Sequence, residues 1–144
     1  MKIYTIGFTK KSARRFFGLI GGTTADRLID VRLNNVSQLA GFTKRDDLRF
    51  FLSELSSLGY FHEPLLAPTQ TMLDQYKKRQ IGWIEYERQF LSLMAQRQIE
   101  TVLDSDIVNN SVLLCSEHSP EYCHRRLVAE YFAAHWNDVA IEHL

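Results

Sequence analysis

An α/β fold with a mostly parallel sheet of about five strands, flanked by helices, is what this sequence predicts. Three observations carry the prediction. Short β-rich apolar runs alternate with segments of helical periodicity along the chain. Two of those runs, RLIDV at 27–31 and SVLLCS at 111–116, have the continuous apolar character of buried strands. No repeat, low-complexity tract or Pro/Gly-rich linker divides the 144 residues, a length suited to one domain with a sizeable core.

The elements follow in order. Residues 2–8 form a first strand, and 12–20 a helix that buries Phe16, Phe17 and Ile20; Gly21 and Gly22 end it through the positive φ that glycine accepts. The second strand is 27–31. Residues 43–58 are the clearest helix, with Leu48, Phe51, Leu52, Leu55 and Leu58 at helical spacing, Thr43 as N-cap and Gly59 as stop. A short strand at 60–62 precedes helices at 69–79 and 83–98, the latter with Trp83, Tyr86, Phe90, Leu93 and Met94 inward. Residues 102–110 read as a further helical turn, 111–116 as a strand, 120–136 as a helix and 139–144 as a closing strand.

Composition narrows the function classes. Lys plus Arg equals Asp plus Glu at 17 each, so no bulk field draws the chain to nucleic acid or to an anionic membrane, and only a local basic patch could do so. No apolar run approaches the ~20 residues that span a bilayer. The opening MKIYTIGFTKKS reads as a strand and not as a signal peptide. Two cysteines are too few for a disulfide framework, so free thiols and a reducing, cytoplasmic setting are expected.

Ligands of open parallel sheets bind at the carboxyl ends of the strands. Three such ends carry polar groups: Thr5-Ile6-Gly7 in the first, Asp30-Val31-Arg32 in the second, and Cys115-Ser116-Glu117 in the fourth. If these strands are neighbours, Asp30, Arg32, Cys115 and Glu117 converge on one crevice. The segment VLLCSEHSPEYCHRR holds both cysteines of the chain. In it Ser119 and Pro120 read as a helix start. Cys123 and His124 fall on the inward stripe set by Leu127, Val128, Tyr131 and Phe132. Arg126 faces outward with Glu130, and Arg125 sits at the flank.

Three readings of that segment stay open on the residues alone. Cys115 is a nucleophile at a strand end, with an anionic substrate on nearby amides and Arg32 or Arg125 as counter-charge. Alternatively, Cys115, Glu117, Cys123 and His124 hold a metal such as zinc. The C-x7-C-H spacing matches no common zinc signature, and two adjacent ligands on one helix diverge by about 100°. In the third reading the thiols are small buried hydrophobes. Elsewhere, His62 and Glu63 end a short strand, and Ser37, Gln38 and Thr43 make a loop polar enough for phosphate. Lys77, Lys78 and Arg79 lie beside Tyr76 and Trp83, a set that suits either a helix C-terminus or a nucleic-acid backbone.

Four features, YTIGF, LIDVR, LLCSEHSPEYCHRRLVAEYF and a closing His-Leu, resemble the family catalogued as domain of unknown function 488. The resemblance places Thr5, Gly7, Asp30, Arg32, Cys115, Glu117, Cys123, His124 and Arg125, with His143 beside them, at the family's characteristic positions. It implies an α/β fold and a shared polar site, without a reaction or a cofactor. The chain departs from the family in reading LNNVSQLAGFTK after Asp-Val-Arg and Leu-Leu-Ala-Pro in its middle. More loosely, the strand ends are similar to rhodanese and cysteine-phosphatase architecture. The loop at 116–119 nevertheless lacks glycine and Arg125 follows Cys115 by ten residues, which argues against sulfur transfer or phosphatase chemistry.

The leading expectation is a small enzyme whose crevice binds an anionic, phosphate- or nucleotide-like ligand. In it Asp30 and Arg32 orient the ligand or one another, Cys115 is nucleophile or polariser, and Glu117 and His124 are the acid/base candidates, with Thr5, Gly7, Cys123 and Arg125 around the ligand. The rivals are a non-catalytic module meeting nucleic acid or protein through residues 33–49 and 77–83, and a metal-binding protein.

Overall fold

The computed structural model describes residues 1–36 and 41–144. Its elements are β1 (Lys2–Gly7), α1 (Ala13–Gly21), β2 (Arg27–Asp30), α2 (Arg45–Leu55), β3 (Gly59–His62), α3 (Gln70–Lys77), α4 (Trp83–Arg97), α5 (Ile99–Val102), α6 (Ser105–Val108), β4 (Ser111–Cys115), α7 (His124–His135) and β5 (Ala140–His143). Short 3-10 turns occupy Gly41–Thr43 and Pro64–Leu66. The five strands make one sheet in the order β3-β2-β4-β1-β5, and every pairing is parallel.

Side-chain alternation along the strands divides the core in two. Tyr4, Ile6, Leu28, Val112 and Leu114 point to one face, against Phe16 and Ile20 of α1 and Leu48 and Leu52 of α2. Ile3, Ile29, Leu113 and Cys115 point to the other, against Phe90 and Met94 of α4, Ile99 of α5, and Leu127, Val128 and Phe132 of α7. Each such large apolar side chain contributes about 1.5–3 kcal/mol by leaving water. β4, buried at all five positions, lies between β2 and β1, and like them it feeds both clusters.

Local differences from the sequence expectations have physical causes. Ser12 and Thr69 cap α1 and α3 through Arg15 N and Met72 N, at 3.1 and 3.2 Å. Thr43 does not cap α2. It closes the 3-10 turn, its carbonyl accepts from Arg32 Nη2 at 2.7 Å, and Lys44 stands at the N-cap without a side-chain bond. Asp46 and Asp47 in the first turn suit the positive end of that helix. α2 stops at Leu55, with Ser56 and not Gly59 at its C-cap.

The glycine pair ends α1 without a positive φ, since Gly22 has φ −81 and donates to Gly18 O and Leu19 O. Positive φ falls instead on Gln98 (φ 51), which separates α4 from α5. The expected helix at 120–136 begins later. Ser119 Oγ accepts from Glu121 N at 3.3 Å and Cys123 N donates to Pro120 O at 3.2 Å, so 119–122 are spent in a turn. Cys123 then has extended backbone (φ −136, ψ 136) ahead of α7.

Candidate functional site

β4 is flanked by two strands whose following helices, α1 and α2, cover the opposite face from its own, α7. Such a reversal leaves a crevice at the carboxyl ends of the strands. In register, Gly7 of β1 lies beside Cys115, and Asp30 of β2 beside Leu114. Cys115 therefore stands where the sheet opens.

A cleft of about 520 Å³ opens there. Cys115, Ser116, Glu117, Cys123 and His124 line it on the side of β4 and α7, and Arg32, Phe8 and Asn34 on the side of β1 and β2. Tyr76 and Lys77 of α3, Trp83 and Tyr86 of α4, and Tyr122 supply the remaining wall. The aromatics hold one another: Trp83 stacks on Tyr86 at 5.2 Å between centroids and meets Tyr76 at 5.8 Å and Tyr122 edge-on at 5.6 Å.

Cys115 and Cys123 are free, buried thiols. Their sulfurs and a His124 ring nitrogen lie within 4.8 Å of one another. His124 Nε2 is 2.7 Å from the Val31 carbonyl and must donate to it, which leaves Nδ1 as the acceptor at 3.4 Å from Cys115 Sγ. Nε2 is itself 3.7 Å from that sulfur, so Sγ sits between the two nitrogens and is not aligned with one lone pair. Burial works against a thiolate at Cys115, yet the Cys123 thiol, the Ser116 amide and the Arg125 charge outweigh it and hold the Cys115 thiol below its ordinary pKa. Burial, and then the neighbouring Cys115, push Cys123 well above the ordinary value. The two thiols are thus unequal, Cys115 being the easier to deprotonate.

The loop after Cys115 is fastened from beneath. Arg125 is fully buried and donates from Nη1 to Glu117 O at 2.6 Å and from Nη2 to His118 O at 3.3 Å. Thr9 N donates to Ser116 O at 3.0 Å. Three successive carbonyls therefore turn inward. Gly7 makes this possible, because a Cβ there would coincide with the Glu117 carbonyl and meet Arg125 Nη1 at 2.9 Å. Thr5, also fully buried, has Oγ1 2.6 Å from His143 Nδ1 on β5.

Asp30 and Arg32 form the second polar group. Arg32 donates from Nε to Asp30 Oδ1 and from Nη2 to Asp30 Oδ2, each at 2.8 Å. Tyr60 donates to Oδ2 at 2.6 Å, and the Arg32 amide to Oδ1 at 3.1 Å. Burial disfavours the Arg32 charge, but Asp30 overrides it and raises the pKa above the usual arginine value. Burial and the bond to Asp30 likewise raise the Tyr60 phenol. Asp30 has no exposure and all its bonds are internal.

The sequence expectation that Asp30, Arg32, Cys115 and Glu117 meet in one crevice is met only in part. Strand pleating sends Asp30 to the α2 face and Cys115 to the α7 face. Arg32 reaches the cleft wall, with Phe8 under its guanidinium at 5.4 Å, and Asp30 anchors it from behind. Among the described residues Arg32 Nη1 donates no hydrogen bond. Glu117 lies at the exposed mouth. Gly7 and Arg125 sit beneath the loop, Thr5 pairs with His143, and none of the three lines the cleft. His62 and Glu63 serve the fold: His62 Nε2 donates to Arg32 O at 2.7 Å, and Glu63 accepts from Leu65 N at 3.1 Å. Ser37 and Gln38 lie outside the described residues.

The objection that Cys123 and His124 diverge along a helix does not hold, because Cys123 precedes α7. Reasoning from sequence did not find the aromatic wall as part of the site. Its one signal was the closeness of Tyr76 and Trp83 to Lys77, a set read there as suiting either a helix C-terminus or a nucleic-acid backbone.

A parallel α/β protein with a thiol-bearing, aromatic-walled cleft at a strand-order reversal is the class that this fold and site define. The chain belongs to the family described as domain of unknown function DUF488, whose model matches residues 12–132. Cys115, Glu117, Cys123, His124 and Arg125 fall within that match, as do Asp30 and Arg32, whereas Thr5, Gly7 and His143 lie outside it. Searches of curated proteins and of solved structures return no match to the chain.

Proposed function

We propose that this protein is a small thiol enzyme whose cleft takes an anionic ligand with a planar, nucleotide-like body, Cys115 being the nucleophile. The observation that carries the reading is the placement of Cys115. Its sulfur opens into a cleft of about 520 Å³, beside groups that favour its charge. That volume is the size of a small-molecule site. Arg32 Nη1 and Lys77 offer positive charge, while Trp83, Tyr76 and Tyr122 offer stacking surfaces. His124 Nδ1, 3.4 Å from Sγ, is the nearest ring acceptor for the thiol proton although the sulfur is not aligned with its lone pair, and Glu117 at the mouth is placed to serve a leaving group. Asp30 keeps Arg32 extended toward the ligand and makes no contact with it.

Of the basic-aromatic set, Tyr76, Lys77 and Trp83 line this cleft, while Lys78 and Arg79 are exposed outside it. Two free thiols suit a reducing compartment such as the cytoplasm. No described helix is long and apolar enough to cross a membrane.

The pH dependence of Cys115 alkylation tests the nucleophile. Only the thiolate reacts, so a lowered pKa moves the rate inflection to lower pH. With iodoacetamide and mass-spectrometric readout at the Cys115 peptide, the inflection is expected below the ~8.5 of a free cysteine. An inflection at or above that value, or modification of Cys123 alone, overturns the assignment.

A second experiment tests the ligand class. Adenosine monophosphate is expected to slow this alkylation, and Trp83→Ala to raise the half-protecting concentration about fivefold or more, since stacking on one aromatic is worth ~1–3 kcal/mol. Equal protection by inorganic phosphate and by the nucleotide, unaffected by Trp83→Ala, would remove the planar body from the proposal.

A further inference from the structure

We infer that Cys115 and Cys123 act as a dithiol couple that reduces a small anionic disulfide, passing two electrons to it and closing on themselves as a disulfide. The inference rests on Cys115 being the nucleophile of the cleft, and it adds the substrate class and a second reacting residue.

Four features of the site carry it. The chain has only two cysteines, and both line the same cleft although they come from different elements. Their sulfurs lie within 4.8 Å, and a change of side-chain rotamer with a small shift closes such a gap to the ~2.05 Å of an S–S bond. Cys123 is the N-cap of α7, its carbonyl accepting from Arg126 N at 3.2 Å, and its extended backbone (φ −136, ψ 136) places its side chain beside Cys115 rather than along the helix stripe. The seven residues between them are pinned by Arg125 and by the Thr9 and Cys123 amides, so the two thiols are held face to face by the fold.

The two thiols are also unequal, as a stepwise exchange requires. Cys115 is the easier to deprotonate and Cys123 the harder, so Cys115 attacks first and Cys123 in the second step. With each thiol under 5% exposed at the base of a concave site, a disulfide on a folded protein surface does not reach them, whereas a small molecule does. Arg32 and Lys77 select for negative charge on that molecule.

The steps balance as follows. The Cys115 thiolate attacks one sulfur of R–S–S–R; the Cys115–S–S–R bond forms, the R–S–S–R bond breaks, and the first RS⁻ leaves and takes a proton from solvent. Cys123 then gives its proton to the second sulfur as that group departs, and its own sulfur attacks Cys115 Sγ. The Cys115–Cys123 bond forms as the second RSH is released. The dithiol is oxidised, the substrate is reduced to two thiols, and an excess of a small dithiol reductant reverses the closure.

Dithiobis-nitrobenzoate, an anionic aromatic disulfide, is the probe. Reduced wild-type protein, folded and freed of reductant, is expected to release two equivalents of the coloured thiol. It should end at the mass of the chain less two hydrogens, with no adduct. Cys123→Ser, or Cys123→Ala where the serine variant is less stable, is expected to release one equivalent and to keep one adduct on Cys115. Cys115→Ser is expected to lose the fast phase.

Retained adducts on the wild-type chain, with no internal disulfide, overturn the couple while leaving Cys115 as nucleophile. Absence of any adduct or disulfide at Cys115 overturns both readings. Stoichiometric zinc in protein purified without chelator, with neither thiol reacting until it is removed, overturns the couple in favour of a metal on Cys115, Cys123 and His124.

Discussion

Gly7→Ala is expected to abolish the folded state or to cost at least about 4 kcal/mol, a range reached through a few severe mechanisms, of which a side chain driven into fixed backbone is one. The added Cβ would occupy the place of the Glu117 carbonyl oxygen. That oxygen cannot retreat cheaply, since Arg125 Nη1 holds it at 2.6 Å and the neighbouring Ser116 carbonyl is held by Thr9 N at 3.0 Å. Relief requires lifting the whole loop, which frees a buried guanidinium whose Nε already lacks a partner among the described residues. Chemical denaturation followed by circular dichroism measures the loss. A fall of less than about 1 kcal/mol, within the ordinary range for point substitutions, would show that the loop does not rest on Gly7 as described. Where the variant folds, the same displacement should move Cys115 and slow its alkylation.

Asp30→Ala carries the second large effect, an expected loss of about 3–5 kcal/mol. Removing the carboxylate leaves the Arg32 guanidinium buried without its counter-charge and strips the Tyr60 hydroxyl of its acceptor. The Thr43 carbonyl is then the only hydrogen-bond acceptor left to the guanidinium among the described residues, in an Arg32 that is 5% exposed. The penalty is one of desolvation, so removing both charges should cost less than removing one. Asp30→Leu combined with Arg32→Met is therefore expected to be more stable than Asp30→Ala by urea denaturation. If the double variant is the less stable of the two, the pair contributes net attraction and the account of Asp30 as an anchor for a buried cation needs revision. The double variant should also weaken protection of Cys115 by an anionic ligand, because Arg32→Met removes the guanidinium from the cleft wall.

Much of the architecture was legible because it rests on local periodicity. The apolar run at 111–116 and the Leu48/Leu52 spacing announce a buried strand and an amphipathic helix wherever they occur. The strand ends at Gly7, Asp30 and Cys115 did prove to be adjacent. Ser119-Pro120 misled because a hydroxyl before proline closes a turn as readily as it caps a helix. Here the turn was chosen, since Glu121 N takes the hydroxyl and the chain must still bring Cys123 to face Cys115. Arg125 showed no preference in sequence between solvent and interior. Only the inward carbonyls of Glu117 and His118 give its guanidinium a buried home. The aromatic wall was hidden for a similar reason, as Tyr76, Trp83 and Tyr122 come from three separate segments and their rings meet only through the packing of α3, α4 and the 119–122 turn.

By itself, then, the sequence determined an α/β chain with reactive groups at strand ends, because hydrophobic period and turn residues act over a few neighbours. The tertiary structure decided which groups share a cavity. Strand order placed β4 between β1 and β2, and pleating sent Asp30 and Cys115 to opposite faces. Those outcomes depend on contacts between residues far apart in the chain, and no local pattern encodes them.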